Sequence, residues 1–173
     1  MKRVQLMMVM LFVLMTTISF GQNDSVYVIK DIDEMSEKTY IYPSRNFVVA
    51  NETKSIGFIV DCYINQKGEF GFLTITMVNI GSCNENDEII ILFENGEKIT
   101  KKSWNDFNCE GNSYFNLTKD EIELLRTVPL SKIKVTNGRT YDSFTEEVKE
   151  KDRRYFIQIF YALDNNLISE PEK

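Results

Sequence analysis

Hydrophobic residues through the middle of this chain recur at every second position more often than at every third or fourth. Ile56, Phe58, Val60, Cys62 and Ile64 alternate with Gly57, Ile59, Asp61 and Tyr63, the pattern of a strand with one buried face. Gln66-Lys67-Gly68-Glu69 turns the chain, and Phe70, Phe72, Ile75, Met77 and Ile80 lie on the return. Glu88-Ile89-Ile90-Ile91-Leu92-Phe93 and Lys98-Ile99-Thr100 flank Asn95-Gly96, which predicts a hairpin whose two central residues both accept positive φ. Asn137-Gly138 repeats the device between Lys132-Ile133-Lys134-Val135 and Thr140-Tyr141. Shorter strand candidates are Val26-Tyr27-Val28-Ile29, Thr39-Tyr40-Ile41-Tyr42 and, after Pro43, Phe47-Val48-Val49-Ala50.

Two segments change period. Thr118-Lys119-Asp120-Glu121 is a capping box, with Ile122 and Leu125 behind it and Pro129 closing the helix. Tyr155, Phe156, Ile159, Phe160 and Leu163 recur at helical spacing, with Asp152 placed as N-cap and Asn165-Asn166 as the stop. Phe156, Ile159, Phe160 and Leu163 are expected to pack on the sheet, with Tyr155 at the rim. About eight to ten short strands and two helices predict a mainly β (α+β) fold. Its expected form is an antiparallel β-sandwich or curled sheet with hairpins, one short internal helix, and a C-terminal helix packed on the sheet.

The N-terminus reads differently. Lys2 and Arg3 precede an apolar, uncharged run over residues 4–20, which ends in Ser19-Phe20-Gly21 before the polar Gln22-Asn23-Asp24-Ser25. That layout predicts a signal peptide over residues 1–21, cut before Gln22. Residues 22–173 then form one β-rich domain with an ordered core over about residues 26–166, a length suited to a single core. The expected location is periplasmic or secreted, with no stable membrane anchor after cleavage.

Charge and composition narrow the chemistry. The formal charge is −6 and falls to −8 once Lys2 and Arg3 leave. So acidic a chain repels phosphate backbones and anionic lipid surfaces, which argues against nucleic acid as a partner. There is no histidine, which excludes Ser-His-Asp and Cys-His nucleophiles and every zinc site built with imidazole. Three cysteines cannot complete a four-thiolate site. No catalytic, cofactor-binding or metal residue is assigned, no cofactor is implied, and the reading leans away from an enzyme.

Cysteine is the best-posed question that remains. Cys62 falls on the apolar face of its strand, where a thiol packs as a small hydrophobe. Cys83 and Cys109 lie in polar, Gly-containing loops on either side of the 88–100 hairpin, and in an oxidising compartment they are expected to pair. Acidic clusters at Glu85, Asp87, Glu88 and at Asp31, Asp33, Glu34 raise glycosidase or calcium chemistry, with Asn84, Asn86 and Asp87 as hard oxygen ligands. Tyr40, Tyr42, Trp104, Phe107, Tyr114 and Phe115 raise an aromatic platform for sugar or peptide. Trp104 and Phe107, beside the expected disulfide, are the candidate docking surface.

Ser19-Phe20-Gly21-Gln22 is similar to the signal-peptide ends of Bacteroidetes secreted proteins. Ser103-Trp104-Asn105-Asp106-Phe107-Asn108-Cys109-Glu110-Gly111, with Leu124-Leu125-Arg126-Thr127 and residues 137–145 from Asn137-Gly138 onward, resembles uncharacterised exported flavobacterial proteins. More loosely, Asp33-Glu34-Met35-Ser36-Glu37-Lys38 ahead of strands is similar to small periplasmic sandwich proteins, including type VI secretion accessories. The resemblance implies export and a sandwich, and no activity. The expected function is binding: an exported protein that engages a protein or glycan of the cell envelope. Alternatives are a carboxylate-dependent hydrolase acting on envelope glycans or peptides, and a secretion-system or adhesion accessory.

Overall fold

The computed structural model describes residues 28–33, 38–65 and 69–169. The expected signal peptide and its cut site, the start of the first strand at Val26, the Glu34-Met35-Ser36-Glu37 segment and the Gln66-Lys67-Gly68 turn lie outside the described residues.

Among the described residues there are eleven strands, and they sort into two sheets. Strands β1 (Val28–Asp33), β2 (Lys38–Pro43), β3 (Phe47–Ala50), β4 (Gly57–Ile64), β5 (Gly71–Val78), β8 (Asn112–Leu117) and β11 (Ile168–Ser169) make a seven-stranded sheet. Its order is β11-β1-β2-β4-β5-β8, with β3 also paired to β4. Strands β6 (Glu88–Phe93), β7 (Lys98–Lys102), β9 (Leu130–Thr136) and β10 (Ser143–Glu147) make a four-stranded sheet ordered β10-β9-β6-β7. All pairings are antiparallel except β1 with β11. Helices α1 (Lys119–Thr127) and α2 (Tyr155–Asp164) pack on this frame. The fold is the antiparallel, sandwich-like α+β arrangement that the alternation predicts.

β2 and β3 lie in tandem along one side of β4. Ile41 pairs with Ile64 and Phe47 with Val60, so six steps on the outer strand match four on β4. Pro43, which cannot donate to a ladder, stands where the strand breaks.

One hydrophobic cluster joins all layers. From the first sheet it takes Phe47, Phe58, Val60, Cys62, Leu73, Ile75 and Phe115; from the second, Ile89, Ile91, Phe93, Ile99, Ile133 and Val135. The sheets face each other where Phe58 meets Phe144 of β10 edge-on at 6.2 Å. Elsewhere α2 covers the first sheet: Phe47 lies 5.0 Å from Tyr155 and 6.2 Å from Phe156, ring centre to ring centre. Phe156, Ile159, Phe160 and Leu163 are buried as expected. Tyr155 corrects its placing at the rim, because it is wholly buried and its hydroxyl donates to Arg45 O at 2.7 Å. A tyrosine can enter a core when its polar tip finds a partner, and helical spacing does not reveal one 110 residues away.

α1 carries the predicted capping box: Thr118 Oγ1 accepts from Glu121 N, and Glu121 Oε2 accepts from Thr118 N. Asp152 does not cap α2. It sits in a short 3-10 turn, Glu150–Asp152, and pairs with Arg45 at 3.0 Å, leaving Arg154 as an N-cap with no side-chain bond. A buried carboxylate gains more from a guanidinium than from an exposed helix end.

Both Asn-Gly turns depart from the two-residue form. At 95–96 only Gly96 has positive φ, at 88°. Gly96 N donates to Phe93 O and Phe93 N to Glu97 O, a three-residue loop closed by a glycine bulge. Asn95 Oδ1 accepts from Glu97 N at 3.0 Å and holds the asparagine in the turn. The second Asn-Gly opens a six-residue loop, 137–142, between Thr136 and Ser143, which pair. Thr140 and Tyr141 therefore lie in a loop, and the strand begins at Ser143.

Candidate functional site

Three loops meet at one end of the sandwich: 79–87 after β5, 103–111 after β7, and 137–142 after β9. Cys83 and Cys109 form a disulfide with Cα atoms 3.9 Å apart. Asn84 and Asn108 next to them exchange both backbone hydrogen bonds, at 2.6 and 3.0 Å. The cysteines thus face each other as neighbours on an antiparallel ladder, where Cα atoms approach most closely. The expected Cys83–Cys109 pairing is present, and Cys62 is free and buried. Burial, reinforced by the neighbouring Asp61 charge, pushes the Cys62 thiol up to about 12, so it stays protonated and inert.

Asp87 is the centre of this end. It is wholly buried, and its carboxylate accepts from Asn84 Nδ2 at 2.7 Å, from Ser113 Oγ, and from Gly138 N at 2.7 Å. Asp87 N donates to Ser103 Oγ, and Ser103 N to Asp87 O. The carboxylate's donors come from the 79–87 loop, β8 and the 137–142 loop, and the Asp87 backbone ties in the start of the 103–111 loop, so this one residue gathers the end of the sandwich. Neutral donors that converge on a carboxylate satisfy it without a cation. Asn137 finishes the joint: its amide donates to Cys83 O at 2.7 Å while Oδ1 accepts from Arg139 N and Thr140 N. A side chain at Gly138 would overlap Glu85 O and Asn86 O, so glycine is required there by close approach.

This network accounts for Asn84 and Asp87 of the first acidic cluster, and the side chains of Asp31, Asp33 and Glu34 lie outside the described set. Asn84 turns its amide nitrogen to Asp87, which is the wrong atom for a cation, and Glu85 is exposed. Among the described residues no group of three His, Cys, Asp or Glu side chains could hold a metal.

The candidate docking residues are well exposed. Trp104 is 58% accessible, Phe107 50% and Tyr141 80%. Arg139 lies over the Phe107 ring at 4.8 Å and links the two loops. The start of the 103–111 loop runs along the edge of β8, with Trp104 N donating to Tyr114 O and Asn105 Oδ1 accepting from Tyr114 N. That segment covers an open strand edge and carries Trp104 to the outer face of the seven-stranded sheet.

Register then defines that face. Tyr63, Phe72 and Asn116 form one cross-strand row; Asp61, Thr74 and Tyr114 the next; Ile59, Thr76 and Asn112 a third. Tyr63 stacks on Phe72 at 4.9 Å, Phe72 leans on Tyr114 at 6.4 Å, and Tyr114 meets Trp104 at 5.4 Å. A continuous aromatic row therefore crosses β4, β5 and β8 and ends in the exposed indole. Two polar groups beside it are underused. Thr74 is 8% exposed, and its buried Oγ1 has no hydrogen-bond partner. Asp61 makes no hydrogen bond or ion pair among the described residues, and burial raises its carboxyl above the usual range.

Trp104 and Tyr114 thus join one surface. Phe107 lies under Arg139 instead, and Phe115 is buried in the core. The side chains of Tyr40 and Tyr42 lie outside the described set. Sequence reading missed Tyr63, Phe72, Asp61 and Thr74. Their signal is parity: Asp61 and Tyr63 are the odd positions of a strand whose even positions are core, so they must face outward. No protein-family model, curated protein or solved structure matches this chain. Among the described residues no helix is long and apolar enough to cross a membrane.

Proposed function

We propose that this chain is an exported binding protein which takes a glycan of the cell envelope on the aromatic outer face of its first sheet. The aromatic row from Tyr63 to Trp104 carries the reading. Sugar rings present apolar C–H faces to aromatic rings and hydroxyls to nearby polar atoms. Here Asp61, partly exposed beside the row and without a hydrogen-bond partner among the described residues, supplies a polar group for such hydroxyls. The three fastened loops hold Trp104 without ordering at the moment of binding, which favours affinity. Export rests on the N-terminal pattern of residues 1–21 and agrees with a disulfide, which persists in oxidising compartments.

A hydrolase acting on the same glycans has less support at this face. Asp61 is the one carboxylate among the outward positions of β4, β5 and β8, whereas glycoside hydrolysis needs two across a cleft.

Trp104 is the sole tryptophan, so its fluorescence reports the site directly. An array of neutral envelope-type glycans should retain the protein, and a retained glycan should shift the emission. Trp104→Ala should weaken retention about tenfold, the loss of one aromatic contact of about 1.4 kcal/mol. Tyr161→Ala, on the exposed side of α2, should leave it unchanged. No retained glycan, or equal retention by the Trp104 variant, would overturn the proposal.

A further inference from the structure

On another side of the sandwich, β3 and the loop after it face the 3-10 turn that precedes α2. Between them lies a cleft of about 310 Å³ lined by Arg45, Lys54, Lys149 and Lys151, with Glu52 and Asp152 as the acidic members. We propose that this cleft is a binding site for a small molecule bearing a phosphate, sulfate or similar oxyanion group. It does not depend on the aromatic face.

Four cations against two carboxylates make the cleft locally positive in a chain whose net charge is −6. Asp152 is already committed to Arg45, and the three lysines form no ion pair among the described residues. Mobile surface lysines alone would say little, but Arg45 is a fixed group. Asp152 holds its Nη1 at 3.0 Å, its guanidinium lies 5.3 Å from the centre of the Tyr155 ring, and its carbonyl accepts from the Tyr155 hydroxyl. Its Nε is buried and has no hydrogen-bond partner. A guanidinium presents its N–H groups as a planar fork suited to oxyanions. The Arg45 side chain is 30% exposed, so an oxyanion in the cleft can bridge its accessible edge and the lysines while Nε stays buried behind it.

The loop beneath Lys54 is preformed. Asn51 Oδ1 accepts from Ser55 N and Ile56 N, Asn51 O accepts from Lys54 N, and Lys54 holds positive φ at 56°. Non-glycine residues adopt that conformation where surrounding contacts enforce it, so the lysine's position is set by the turn. The volume stands at the lower end of the roughly 300–1,000 Å³ of small-molecule sites, which favours a compact ligand over a polymer.

The test is titration of the full chain with inorganic phosphate and, separately, sulfate, at constant ionic strength made up with chloride. Saturable binding should appear by calorimetry, with backbone amide shifts confined to residues 45–54 and 149–152. Lys149→Gln and Lys151→Gln are exposed substitutions that should leave the fold intact, and each should weaken binding about tenfold, the loss of one charge-assisted hydrogen bond. Trp104→Ala should bind the anion normally. Binding of phosphate but not sulfate, or the reverse, supports the site and names its preferred group. No saturable binding of either anion, shifts spread over the surface, or unchanged affinity in both lysine variants would overturn it.

Discussion

Asp87→Asn removes one charge and one acceptor from the group that gathers three loops. In the wild type, Oδ1 accepts from Gly138 N, and Oδ2 accepts from Asn84 Nδ2 and Ser113 Oγ. An asparagine has one oxygen and one NH₂. If the NH₂ faces Gly138 N, two donors oppose each other; if it faces Asn84 and Ser113, the conflict moves there. Either way a buried donor loses its partner at about 1–3 kcal/mol, and bonds to a charged acceptor are among the stronger ones. The expected destabilisation is about 3 kcal/mol, or a fall in Tm of about 6–12 °C for a chain of this size. Ser113→Ala removes one donor to the carboxylate and one acceptor of Asn84 Nδ2, which keeps its bond to Asp87, so it should cost less, about 1–2 kcal/mol. Urea unfolding of oxidised wild type and both variants measures the order. A stability for Asp87→Asn within about 0.5 kcal/mol of wild type, the spread of ordinary surface substitutions, would refute Asp87 as the joint.

Three further outcomes are expected. Labelling native oxidised protein with a thiol reagent should modify nothing, and unfolding should expose one thiol, Cys62, because burial raises its pKa to about 12; Cys83→Ser with Cys109→Ser should lose about 3.5 kcal/mol for a crosslink spanning 26 residues, and unchanged stability would show that the loops need no staple. Truncation before Asp152 removes Tyr155, Phe156, Ile159, Phe160 and Leu163 from the core, at about 1.5–3 kcal/mol each; that approaches the whole stability of a domain, so the product should not give a cooperative melt, and a normal melt would make α2 an appendage.

Local rules carried far in this chain. The capping box of α1, the β4 alternation, the hydrophobic face of α2 and the expected pairing of Cys83 with Cys109 are each legible within a short window or from two loops that flank one hairpin. They rest on periodicity, backbone donors and covalent reach, which act over a few residues. β8 and β10 escaped notice because Asn112–Leu117 and Ser143–Glu147 are polar at most outward positions, and a weak alternation is decided by its neighbours. The two Asn-Gly turns show the same limit. Their dipeptide permits a two-residue hairpin, but at 137–138 the asparagine amide and glycine N–H are claimed by Cys83 and Asp87, more than fifty residues away.

The sites lie further beyond sequence. Asp87 reads as one acid among several in a polar loop, and only tertiary structure brings Asn84, Ser113 and Gly138 around it. The aromatic row depends on register: Tyr63, Phe72, Tyr114 and Trp104 come from three strands and a loop, and a one-residue slip would turn its strand members into the core. Arg45 and Asp152 meet across 107 residues. Sequence alone indicated most of the segments that form strands or helices, excluded imidazole chemistry by the lack of histidine, and pointed to Cys83 and Cys109 as the expected pair. Tertiary structure decided which polar atoms are buried together and which rings face outward, because those outcomes are set by long-range pairing and desolvation rather than by neighbours along the chain.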